Sequence, residues 1–124
     1  MKTHFFAIVT LLFAVLANAE KSCMETAVSD SDYNECASHE FDSAEAVLNA
    51  TYKEALSALS KGGPDGLETK KELIQAQRYW IQFRKSDCDA IYAFNQGGSV
   101  RIPEAFMCMK RHAEQRTKEL HQFY

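Results

Sequence analysis

Apolar residues recur along this chain at helical spacing, in three runs separated by two glycine-rich breaks. In the first run Ala37, Phe41, Ala44, Leu48, Tyr52, Ala55 and Leu59 step by fours and threes, and Val47 and Leu56 widen the stripe. Ser29 or Ser31 suits the N-cap, with Asp30, Asp32 and Glu35 at the positive end of the helix dipole. These signals predict a helix over residues 30–61, stopped by Gly62. Gly62-Gly63-Pro64-Asp65-Gly66 forms the first break, and Asp65 with Glu68 resembles a capping box that opens a second helix. Leu67, Leu73, Ile74, Trp80, Ile81, Phe83, Cys88, Ile91 and Phe94 carry that helix to about residue 94. The second break is Gln96-Gly97-Gly98-Ser99. Pro103 then fits the first position of a third helix, on which Ile102, Phe106, Met109, Ala113, Arg116, Leu120 and Phe123 form one stripe with Arg116 as its polar member. No segment alternates as a strand does. Short breaks between long helices favour antiparallel neighbours, so the predicted architecture is all-α, an up-down-up three-helix bundle.

The first nineteen residues read differently. Lys2 supplies a positive start, Phe5 to Leu16 an apolar stretch, and Ala17-Asn18-Ala19 the small-x-small pattern of a cleavage site. The stretch is shorter than the roughly 20 residues needed to cross a bilayer. Glu20, Lys21 and Ser22 separate the cleavage site from Cys23, so the pattern for lipid attachment is absent. The expectation is an exported chain, cut after Ala19, whose residues 20–124 form one domain that is not membrane-anchored. Cys23, Cys36, Cys88 and Cys108 all lie in that part, an even number that reads as two disulfides in an oxidising compartment. Antiparallel packing across the second break would bring Cys88 level with Cys108, leaving Cys36 to pair locally with Cys23. The helix hairpin would also permit Cys36–Cys88 with Cys23–Cys108. The local pairs are the preferred reading.

Charge divides the domain unevenly. Residues 20–60 hold nine acids against two bases, and residues 61–124 hold eight acids against eleven bases. An acidic first half disfavours nucleic acid and is compatible with a cationic protein partner, although such acids also make an ordinary solvated helix face. Trp80 and Arg84 lie one turn apart. They are either a recognition patch or a core anchor whose Arg84, together with Arg116, pairs with acids of the first helix. A buried arginine there would need a carboxylate such as Glu40, Glu45 or Asp87. His39, His112 and His121 have no ligand spacing, and no metal or other cofactor is expected. Nucleophile motifs are also absent, so catalysis is not expected. Asn49-Ala50-Thr51 matches an N-glycosylation pattern but falls inside a predicted helix.

Several of these segments resemble one family. Leu48-Asn49-Ala50-Thr51-Tyr52 is similar to the Leu-Asn-x-x-Tyr signature of LprI-like lysozyme-inhibitor domains. Ala76-Gln77-Arg78-Tyr79-Trp80-Ile81-Gln82-Phe83-Arg84, with Cys88 four residues on, resembles its most specific stretch. Gly97-Gly98 and the closing Cys108, Arg116 and Leu120 also fit, while His112 stands where the family usually has Thr. The resemblance implies a bacterial envelope protein, periplasmic, that binds a lysozyme or other cationic protein. Such a protein would act by occlusion, through first-helix acids (Glu35, Glu40, Asp42, Glu45) or through the loop at residues 96–101. A structural or accessory envelope module with another protein partner is the alternative.

Overall fold

The computed structural model describes residues 22–124, so the expected export segment lies outside the described residues. Among the described residues every regular element is helical: α1 Cys23–Thr26, α2 Asp30–Ser60, α3 Gly63–Phe94 and α4 Arg101–Leu120, with a closing 3-10 turn at His121–Phe123. The three expected long helices are present, and the short α1 is an addition. Both α1 and α2 open with a capping box. Ser22 exchanges hydrogen bonds with Glu25, and Ser29 with Asp32, so each N-cap hydroxyl and its partner carboxylate satisfy backbone N–H groups that a helix start leaves free.

α3 starts two residues before Asp65. Asp65 therefore sits in the first turn instead of capping it, and Pro64 occupies the early position where its missing N–H costs nothing. Gly63 makes the sharp entry with φ of 69°, in the left-handed region that a side chain would disfavour. α4 likewise begins at Arg101, with Pro103 inside its first turn.

Contacts between helices give the topology. At the first turn Lys70 of α3 donates to the Ser60 hydroxyl of α2, and farther from that turn Arg84 meets Glu45, so α2 and α3 are antiparallel. Cys88 joins Cys108 near the second turn, and farther back Gln77 meets Arg116, so α3 and α4 are antiparallel as well. α2 and α4 run parallel and share the largest interface, with Phe41 against Phe106 at one end. This up-down-up order lets Ala37, Ala55 and Ala113, all fully buried, bring the backbones close. Leu48, Leu73 and Leu120 fill the centre, and Tyr52, Leu56, Trp80 and Phe123 pack around them.

The cysteines pair locally, Cys23–Cys36 and Cys88–Cys108, with no free thiol. The first bridge ties α1 to α2, and the second clamps the α3–α4 hairpin. Six apolar positions expected on the buried stripes are exposed instead: Val47, Leu67, Ile81 and Phe83 are about half exposed, Ile102 is 36% exposed and Phe94 is 88% exposed. On α3 the buried and half-buried line is Leu73, Gln77, Trp80, Arg84, Cys88 and Ile91. That line keeps the fours-and-threes rhythm but runs through two polar residues, so the helix is rotated relative to a reading of its apolar residues alone. No described helix is long and apolar enough to cross a membrane.

Candidate functional site

The α3 segment around Trp80 is built as a layered cluster. Arg84 is 7% exposed, and its guanidinium lies 4.7 Å from the centre of the Trp80 ring and 5.7 Å from that of Phe41. Both of its terminal nitrogens donate to Glu45, at 2.5 and 3.1 Å, in a bidentate pair that balances the buried charge. On the other side of Trp80 stands Arg116, its guanidinium 6.0 Å from the ring centre. Arg116 Nε donates to Gln77 Oε1 at 2.9 Å and Nη1 donates to Glu119 Oε2 at 3.0 Å. The Nη1 donation holds the Glu119 carboxyl below the usual range, helped by a hydrogen bond from Gln115. One indole is thus flanked by two guanidiniums, each carrying its own hydrogen-bonded carboxylate.

This cluster has little free donor capacity for an incoming ligand. Arg84 pairs with an α2 acid, as a buried arginine requires. Arg116 does not, because Gln77 and Glu119 reach it first. Leu48, Tyr52 and Leu120 belong to the core beside it, while Asn49 and Arg78 are exposed. Burial raises the Tyr52 hydroxyl above its ordinary value, against the pull of Arg78 and Arg116.

The α2 acids divide into two kinds. Glu45 is held by Arg84, and Glu40 accepts from Lys110 Nζ of α4 at 2.5 Å. That hydrogen bond, assisted by Glu114, pushes the Lys110 ammonium above its usual range. Glu35 and Asp42 are exposed, and neither has an ion-pair partner among the described residues. Between α2 and α4, on the side away from α3, runs an open groove of about 840 Å³ lined by His39, Ala44, Val47, Lys110 and Lys118 among others. Glu35 and His39 also border a smaller hollow beside the Cys23–Cys36 bridge.

The Gly97-Gly98 segment is a tight interhelical turn. Gln96 N–H donates to Ala93, Gly98 N–H to Asn95 and Arg101 N–H to Gly98, and Gly97 takes φ of 87°. Arg101 stacks on Tyr92 at 4.7 Å and braces its far side. Sequence reasoning missed an outward apolar patch on α3, where Tyr79 is 64% and Phe83 59% exposed, one turn apart. The register Trp80–Arg84 determines it, because residues adjacent to a buried pair must face out. It also missed a group at the far hairpin. One ligand-type atom each from Asp87, Cys88, Cys108 and His112 lies within 4.8 Å of all the others, with both sulfurs now joined in the disulfide.

Comparison with known proteins bears on this arrangement. The family described as "Lysozyme inhibitor LprI" matches residues 23–120, nearly all of the described part. The chain belongs to the LprI lysozyme-inhibitor family. It is also 32% identical over 108 residues to an uncharacterized protein of Rhizobium meliloti (strain 1021), covering 82% of this chain and 77% of that one. No solved structure matches. The LprI-like residues Leu48, Tyr52, Gln77, Trp80, Arg84, Arg116 and Leu120 are those that build the core and the flanked indole. In this LprI protein those motif positions build the bundle and its flanked indole.

Proposed function

We propose that this protein is an exported LprI-type inhibitor that blocks a lysozyme by covering its cleft, and that it is a binding protein and not a catalyst. The family match over residues 23–120 carries the reading. Two disulfides in a small domain support export to an oxidising compartment, and the periplasm is the compartment this reading assigns. The partner would be cationic, because the free charge of α2 is acidic. Glu35 and Asp42 are the contact acids, and Glu40 and Glu45 serve to hold α2 against α4 and α3. Long-range attraction would steer the encounter, and the rigid helix face would exclude substrate from the cleft.

The test is lytic activity of several lysozyme types, titrated with the purified, oxidised chain. One-to-one inhibition of at least one type, weakening as salt rises, is expected. A folded sample that inhibits none would sink the reading. The exposed Tyr79 and Phe83 favour a second one, an envelope module docking an apolar partner surface through α3. Under it, Tyr79→Ser with Phe83→Ser would abolish capture of that partner and leave any lysozyme effect unchanged.

A further inference from the structure

We propose that the Cys88–Cys108 bridge conceals a redox-gated site for a zinc-class divalent cation, formed when the bridge is reduced and completed by His112 and Asp87. Cys108 and His112 are one turn apart on the same face of α4, and Cys88 with Asp87 approaches from α3. Their four ligand-type atoms already lie within 4.8 Å of one another. Around tetrahedral zinc the sulfurs would stand about 3.8 Å apart, given Zn–S bonds of about 2.3 Å. Small side-chain rotations let the sulfurs part by that much once the bond is cut, because the two backbones stand 5.6 Å apart at Cα. The donor set of two thiolates, one imidazole and one carboxylate suits borderline-soft metals and disfavours calcium or magnesium.

The surroundings favour the same group. His112 Nε2 lies 2.7 Å from Asp87 Oδ2, so the imidazole and carboxylate are already aimed at each other, and Phe83 packs edge-on against the ring at 5.4 Å. A hollow bordered by Asp87, Cys108, Arg111, His112 and Gln115 opens beside the bridge and gives a route in. The chemistry balances with an external dithiol as reductant. It delivers two electrons and two protons to the disulfide and becomes a disulfide itself. The cation then displaces the two thiol protons, and the site carries a net charge of one minus. Metal would hold the α3–α4 hairpin closed where the covalent clamp has been lost.

Cobalt(II) titration of the protein reduced with a phosphine, read by optical absorption and circular dichroism, tests this. One equivalent is expected to give thiolate-to-cobalt charge transfer with tetrahedral visible bands, and the oxidised protein to give neither. Cys23→Ala with Cys36→Ala should leave the bands in place, while His112→Ala should weaken binding at least about tenfold, as metal-site losses commonly do. If reduction unfolds the chain, cobalt should restore its helical signal. Absence of thiolate bands overturns the proposal, as does failure to regain helix or a band that survives His112→Ala and vanishes with Cys23 and Cys36.

Discussion

Arg84 illustrates how one side chain can hold a small bundle to one arrangement. Its guanidinium is buried between two aromatic rings and satisfied by a single carboxylate from another helix. Removing that carboxylate leaves a charge in a low-dielectric layer. Glu45→Ala should therefore lower unfolding free energy by about 2–4 kcal/mol, whereas Arg84→Met combined with Glu45→Leu should recover most of the loss. Urea denaturation of the three proteins checks this, and equal losses for single and double variants would contradict it. Glu119 supplies a pH signature. Its carboxyl is lowered in the folded state, so its contribution is present above the unfolded carboxylate range and fades as pH falls through the folded value. Lys110 is raised, so its contribution is present below the unfolded lysine range and fades as pH climbs through the folded value. Glu119→Gln should accordingly flatten the acid limb of a stability–pH curve and leave unchanged the alkaline limb, to which Lys110 and the raised Tyr52 hydroxyl both contribute. Trp80 as a core residue was legible from the sequence. Arg84 was legible too, as an arginine one turn from Trp80 that needs an acid such as Glu45. Gln77 was a candidate by motif only, because a search for apolar periodicity skips polar residues that a partner makes buriable.

The helices themselves were legible because their stripes are long and their interruptions contain glycine. Their ends were less so. The same serine-acid signature that marks α2 also opens α1, yet a four-residue helix has no stripe to announce it. The starts of α3 and α4 fell two residues early because proline is tolerated throughout the first turn. At this scale the two bridges should differ. Cys88–Cys108 closes a hairpin between buried positions, and replacing both cysteines with alanine should cost about 3 kcal/mol. Cys23–Cys36 ties down α1, which buries no residue, so its loss should chiefly open α1 locally. Hydrogen exchange would show this as faster exchange near residues 23–28, with the bundle's own protection little changed. Within α2 and α4, Leu48→Ala or Leu120→Ala should each cost about 2–5 kcal/mol, since both are fully buried at the common centre.

Across the whole molecule, the uneven charge seen in the sequence resolves into two uses. Part of the acidity of α2 is spent within the fold, where Glu40 and Glu45 meet bases of α4 and α3. The remainder faces outward, and Glu35 and Asp42, like Asp30 and Glu54, have no ion-pair partner among the described residues. A one-dimensional reading grouped all four as one patch because it does not say which acids have bases opposite them. The outward aromatic pair Tyr79 and Phe83 was hidden for a related reason, since apolar character alone puts Phe83 on the predicted stripe and the register of Trp80 and Arg84 is what turns both rings outward. The most direct measurement is inhibition of a cationic lysozyme by the oxidised protein and by the Glu35→Lys, Asp42→Lys double variant, each across a range of salt. The account predicts that the unaltered protein inhibits stoichiometrically, and that the variant keeps its fold but loses at least about tenfold in affinity, about 1.4 kcal/mol, together with most of the salt dependence. Undiminished inhibition by that variant would contradict the acidic face of α2 as the contact, and no inhibition by either protein would contradict the inhibitor itself.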